Sequence, residues 1–184
     1  CGRGLASVLA AGADGMAMGT RFLLTSDAPT PKVTQQRYLD TKDVAEIRIS
    51  TAVDGMRHRM INNPFIDDLE RSSGMKRLWL ALGSARKWQQ ETGMTFTHML
   101  KVFFKGFRED PTAVATIVMS ANQPVLIQKS MVEGKPDAGI LPSGQVAATI
   151  DDLPSVEALI NDIITQAGNC LEQLITRRNN RSAE

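Results

Sequence analysis

The stretch from Cys1 to Leu24 constrains this chain more than any other, because it sets a helix, a short apolar run and a Gly-Thr turn one after another. Gly2 and Gly4 precede an apolar helical face of Leu5, Val8 and Leu9, and Gly12 and Gly15 punctuate its end. The run Met16-Ala17-Met18 reads as a short buried strand that stops at Gly19-Thr20. A strand ending this way suits phosphate: glycine lets backbone N–H groups approach the oxygens, and threonine adds a hydroxyl donor. On pattern alone the same pair also serves ordinary turn geometry.

The 184 residues suffice for one domain with a sizeable core, and 42% hydrophobic with 22% charged content is that of a globular chain. A formal net charge of +1, with 21 basic and 20 acidic residues interspersed, argues against nucleic acid or a membrane surface as partner. The basic tail Arg177-Arg178-Asn179-Asn180-Arg181 reads as a solvated end. Cys1 and Cys170 have neither metal-ligand spacing nor a disulfide framework, which fits a reducing, cytoplasmic compartment. Position 1 is not methionine, so upstream sequence is expected.

Further along, the pattern predicts a helix over about Pro31–Leu39. The alternation of Ile47, Ile49, Thr51 and Val53 with Arg48, Ser50 and Ala52 predicts a half-buried strand ended by Gly55. Asn63-Pro64 starts a helix that Gly74 ends, and further helices are expected near Met75–Gln90, Thr95–Phe107 and after Asp110-Pro111. The stripe Phe96, Met99, Leu100, Phe103 and Phe107 is core or subunit interface in character and allows a homodimer. Gln123-Pro124 opens another helix, stopped at Gly134. Lys135 to Gln145 reads as a shaped loop rich in glycine and proline. Ser155 caps a last helix with Val156, Leu159, Ile160, Ile163, Ile164, Ala167, Leu171 and Leu174 on one face, which should pack on a core. Neither His58, between Arg57 and Arg59, nor His98 has carboxylate or thiol neighbours at metal-ligand spacing. His58 is a candidate base by its chemistry alone.

Taken together, GRGLASVLAAGADGMAMGTRFLLTSD resembles the seventh helix and eighth strand of the flavin-dependent nitronate monooxygenase family, formerly 2-nitropropane dioxygenases. The block Met18-Gly19-Thr20-Arg21-Phe22 is its most specific element. The match continues through the strand near Thr51, Gly55, His58 and Arg59, and Gly139 to Gln145, and the long helical middle resembles an actinobacterial-type subgroup. The resemblance implies an α/β fold, the C-terminal portion of an FMN-binding TIM (β/α)8 barrel with an appended mainly helical segment. It divides the chain into residues 1–55 as the end of the barrel, 56–135 as a helical insertion, and 136–184 as a pocket-closing loop and returning helix.

By the same resemblance the backbone N–H groups of Gly19 and Thr20 would hold the FMN phosphate, with Ala17 and Met18 packed toward the flavin. Ala17 stands where the family often has glutamine, which removes one polar contact. Gly144 and Gln145 would lie on the flavin side of the barrel. The family's catalytic histidine and its other phosphate-binding glycines would fall upstream of Cys1. The implied activity is oxidation of alkyl nitronates by dioxygen. Two other readings stand beside it: a flavin-dependent enoyl-acyl-carrier-protein reductase using a nicotinamide cofactor, and a non-catalytic helical interaction module built on the Phe96–Phe107 stripe.

Overall fold

A computed structural model describes residues 1–73, 80, 83, 84, 86 and 122–181. The helices expected over Met75–Gln90, Thr95–Phe107 and after Pro111, with the Phe96–Phe107 stripe and His98, lie wholly or almost wholly outside the described residues. The chain divides into two compact units: residues 1–28 with 151–184, and residues 29–150. These boundaries follow compactness, whereas the three segments drawn from the sequence follow changes of pattern.

The first unit is built on two helices from opposite ends of the chain. Helix α1 spans Gly2–Ala10 and buries Gly2 and Ala6. After it, the four-residue helix α2 runs over Thr20–Leu23. The long C-terminal helix, α6 below, spans Val156–Arg181. Its start is well specified: the Ser155 hydroxyl accepts from the Ala158 amide at 3.1 Å, and the Asp27 carboxylate accepts from the Val156 amide at 2.6 Å. The face expected of α6 is only partly covered. Leu159, Ile163 and Ala167 are buried, whereas Ile160, Ile164 and Leu174 stand 43%, 59% and 56% exposed. The reason lies in the partner: α1 has 9 residues against the 26 of α6, so it covers one row of side chains over part of the length.

The run Met16-Ala17-Met18 does not form the expected strand. Among the described residues it makes no ladder hydrogen bonds, and Ala17 is exposed. A barrel strand is held by parallel neighbours on both sides, and the described sheet is a separate antiparallel hairpin.

The second unit contains helix α3 (Lys32–Leu39), strands β1 (Ile47–Ser50) and β2 (His58–Ile61), helix α4 (Pro64–Arg71) and helix α5 (Asn122–Met131). The strands pair antiparallel, with Ile47 opposite Ile61, Ile49 opposite Arg59 and Ser50 opposite His58. Beyond β2, the Leu141 carbonyl accepts from the Ile61 amide at 3.0 Å, and the Ser143 amide donates to the Arg59 carbonyl at 3.1 Å. The core joins Ala52, Val53, Met60, Ile66, Leu69, Leu126 and Ile140.

The strand expected from Ile47 to Val53 stops at Ser50, and its alternation shifts phase, with Ile49 57% exposed and Ser50 buried. A turn cuts it short. The Gly55 amide donates to the Thr51 carbonyl at 2.9 Å, and Gly55 sits at φ +88°, a conformation that favours glycine. Helix α4 ends at Arg71 rather than at Gly74, because the Ser72 hydroxyl turns back to the Leu69 carbonyl at 2.7 Å. Helix α5 ends at Met131, and Gly134 follows within a turn at φ +67°. The Lys135–Gln145 loop carries more regular structure than its composition suggests: a 3-10 turn at Pro136–Ala138 and a bridge from Pro142 to Met60, followed by a second 3-10 turn at Gln145–Thr149.

Candidate functional site

The Gly19-Thr20 turn opens α2, and its position is fixed from the far end of the chain. Arg21 forms an ion pair with Asp152 at 2.8 Å, and its guanidinium is therefore committed to holding α2 beside the start of α6. One turn further on, the Ser26 amide donates to the Pro154 carbonyl at 2.9 Å, next to the Asp27 cap of α6. The Thr25 hydroxyl closes α2 by donating to the Phe22 carbonyl at 2.8 Å. The turn thus hangs on three successive tethers.

Gly19 itself is exposed, and a β-carbon placed on it would meet nothing within 4 Å. The Leu23 and Leu24 amides donate back to the Gly19 and Thr20 carbonyls, while amides at a helix start have no acceptor within the helix itself. An open glycine backbone at a helix start, followed by a hydroxyl residue, fits the phosphate end of FMN. Met18 and Thr20 are half-buried.

Gly2 explains the first glycine of the chain differently. Any side chain there would collide with α6, coming within 2.6 Å of the Ala167 amide nitrogen and of the Ile163 carbonyl oxygen. It is a packing glycine, and its amide donates to Gln166 Oε1 at 3.2 Å. At Gly4 the nearest atoms, Met16 Cε and Sδ, lie 3.9 Å from such a carbon, an ordinary contact.

Gly144 and Gln145 belong to the second unit, where Gly144 caps the 3-10 turn and Gln145 is exposed. In the same unit, His58 Nε2 lies 2.8 and 2.9 Å from the two carboxylate oxygens of Asp54, whose side chain is fully buried and also accepts from the Met56 amide at 2.9 Å. His58 is thereby tied into the β1–β2 turn. Among the described residues no group of histidine, cysteine and carboxylate side chains could hold a metal ion, and no helix is long and apolar enough to cross a membrane.

Sequence reasoning missed the second task of Asn63. Beyond capping α4 by accepting from the Ile66 amide at 2.9 Å, its Nδ2 donates to the Pro136 and Gly139 carbonyls at 2.7 and 2.9 Å, pinning the loop that leads to Gly144. Opposite it, Gly139 packs with its α-carbon against α5, where an added carbon would lie 3.1 Å from the Ser130 amide nitrogen. The only sequence signal was the Asn-Pro pair, which announces the cap and not the long-range bonds.

The fold is that of the C-terminal portion of a TIM barrel. Among solved structures, FabK from Thermotoga maritima matches 96% of the chain and 44% of its own length with a TM-score of 0.59 at 22% identity, a likeness of fold. The family model for nitronate monooxygenase matches residues 1–166, and the chain belongs to that family. Its curated relatives include a protein of Rhodococcus jostii named (3aS,4S,5R,7aS)-5-hydroxy-7a-methyl-1-oxo-octahydro-1H-indene-4-carboxyl-CoA dehydrogenase, 40% identical over 90% of this chain and 47% of the relative. The protein of the same name in Mycobacterium tuberculosis is 39% identical over 90% of this chain and 46% of the relative. A probable nitronate monooxygenase of Staphylococcus aureus is 32% identical over 40% of this chain and 20% of its own length. The chain thus spans about half the length of the dehydrogenases it matches.

Proposed function

We propose that the complete protein is an FMN-dependent oxidoreductase that dehydrogenates a polycyclic carboxyl-CoA thioester, with the phosphate of its flavin held at Met18-Gly19-Thr20. The observation that carries this reading is the extent of likeness. Identity of 40% to a carboxyl-CoA dehydrogenase runs over 166 residues, whereas 32% identity to a nitronate monooxygenase runs over 73. When bound, the flavin supplies the two-electron acceptor that a dehydrogenation requires. The chain's own residues position that group. Gly19 leaves the backbone open to phosphate oxygens, the first-turn amides of α2 donate to them, and Ala17 and Met18 line the approach toward the ring. The Arg21–Asp152 pair and the Asp27 cap keep the turn in register with α6.

Nitronate oxidation by dioxygen is the second reading, favoured by the family itself. The complete protein, purified with its flavin spectrum recorded, separates the two. On the leading reading it reduces its flavin with the CoA thioester and consumes no oxygen with alkyl nitronates. Oxygen uptake with a nitronate and no reaction with the thioester establishes the second reading instead. Turnover that requires NADH or NADPH with an enoyl thioester overturns both in favour of the reductase.

A further inference from the structure

Helix α6 carries a second apolar stripe beside the row that α1 covers. Ile160, Ile164 and Ile175 are exposed and Leu171 is half-buried, and their spacing along the helix puts all four on one face. Gly168 falls in the same stripe, four residues after Ile164 and three before Leu171, and a β-carbon placed on it would meet nothing within 4 Å. An exposed charge closes each end: Glu157 stands three residues before Ile160, and Arg178 three residues after Ile175. The row against α1 is a different one, Leu159, Ile163 and Ala167, and Gly2 packs into it at Ile163, Gln166 and Ala167.

The stripe reads the same when the helix is turned end for end. Ile160 with Ile175, Ile164 with Leu171, and Glu157 with Arg178 are pairs that share one midpoint, between Ala167 and Gly168. Laid antiparallel on itself about that midpoint, the helix sets isoleucine on isoleucine, isoleucine on leucine, and at both ends an acid against a base. That is the property of an isologous contact, in which residue i meets j and j meets i. A parallel copy would instead set Glu157 on Glu157 and Arg178 on Arg178, like charge on like. At the crossing Gly168 adds no side chain, so two helix axes can approach closely there. The overlap from Glu157 to Arg178 runs for about six turns, nearly the whole of α6.

We infer that this face of α6 is the interface of a homodimer, in which a second copy of the chain lays its own α6 antiparallel on the first. The apolar pairs supply the attraction, and the pairing of Glu157 with the partner's Arg178 fixes direction and register. The inference is independent of which substrate is turned over.

The test is sedimentation velocity of the complete protein across a dilution series, with far-UV circular dichroism as the check on folding. Wild-type protein should be a dimer that dissociates on dilution. Ile164→Asp, which sets a carboxylate against the partner's Leu171 at two symmetric places, should leave it monomeric with the wild-type spectrum. Glu157→Lys and Arg178→Glu should each raise the dimer dissociation constant about tenfold, since like charges then meet at both ends. The two together should restore it to within about threefold of wild type. Arg177→Glu, next in sequence but off the stripe, is the control and should change nothing. Complete protein that stays monomeric at every concentration overturns the inference. So does a dimer indifferent to Ile164→Asp, or one that the double charge reversal weakens further than either single one. Loss of the folded spectrum in Ile164→Asp, together with charge reversals that leave assembly untouched, shows the stripe covered by the rest of its own chain and overturns the inference as well.

Discussion

Three glycines near the start of the chain answer to three different demands, and substitution separates them. Gly2→Ala forces a carbon against the α6 backbone at Ile163 and Ala167, so unfolding of the complete protein by denaturant should show a loss of about 1–3 kcal/mol. Gly4→Ala meets only Met16 at 3.9 Å and gains helix propensity, so the same measurement should show no loss and a gain of up to about 1 kcal/mol. Gly19→Val should leave unfolding within about 0.5 kcal/mol of wild type, since the space around it is open, yet weaken FMN binding by filling the phosphate approach. It should weaken FMN more than Thr20→Ala, which removes one hydroxyl bond worth ~0.5–3 kcal/mol. Titration of apoprotein with FMN compares them, and equal unchanged affinities would remove the phosphate from this turn. Tyr38, the chain's one tyrosine, offers a second handle at this scale. Its hydroxyl donates to the Pro142 carbonyl at 2.7 Å, and burial pushes the phenol above its ordinary value. The unfolded chain then releases that proton from about pH 10 while the folded chain keeps it. Stability from this group is full below about pH 10 and is lost as the pH rises through the folded value, a loss that Tyr38→Phe should abolish in alkaline unfolding curves.

Among the elements, α4 and the loop it pins show how one side chain couples distant segments. Asn63→Ala removes the α4 cap and strands the Pro136 and Gly139 carbonyls, at a combined cost of about 2–4 kcal/mol. Asn63→Ser should recover about 1 kcal/mol of it by restoring the cap alone. Chemical denaturation of the two variants against wild type measures both, and full recovery of wild-type stability by Asn63→Ser would remove the long-range bonds from the account. The cap was legible in the sequence because it is a local matter of Asn before Pro. So were the start of α6 at Ser155, the stop of α5 ahead of Gly134 and the helical character of α1, each set by residues within a turn of the boundary. Other features depend on partners far along the chain. The Met16–Met18 run has the composition of a strand, but composition cannot supply neighbours. The phase of β1 was misjudged because Ser50 is buried by what covers its face, while Ile49 is not. The apolar face of α6 was read as uniformly buried, since periodicity reports amphipathicity and not the length of the helix that will cover it. Of the site, the Gly19-Thr20 block was found through resemblance, whereas the Asp54–His58 bond emerges only once the hairpin is folded.

For the whole molecule, a family match over residues 1–166 sets this chain against less than half the length of its dehydrogenase relatives. A barrel interior is filled by side chains from all eight strands. Residues 1–184 produced alone should accordingly bind FMN weakly or not at all and oxidise neither thioester nor nitronate. A monodisperse, tightly flavinated 184-residue preparation that turns over either substrate would locate the chemistry wholly within this chain. The two units add a consequence of a different kind, in the order of synthesis. Helix α1 finds its partner only across 164 positions, between Gly2 and Gln166, while residues 29–150 form a unit from contiguous chain. At ~5–20 residues per second, translation leaves α1 without α6 for on the order of ten seconds or more. During that interval Gly2 and Ala6, the residues that α1 buries, have no α6 to cover them, although residues 29–150 have already been made. Stalled nascent chains that stop short of Leu159 should surrender α1 to protease, and those with α6 fully emerged should protect it.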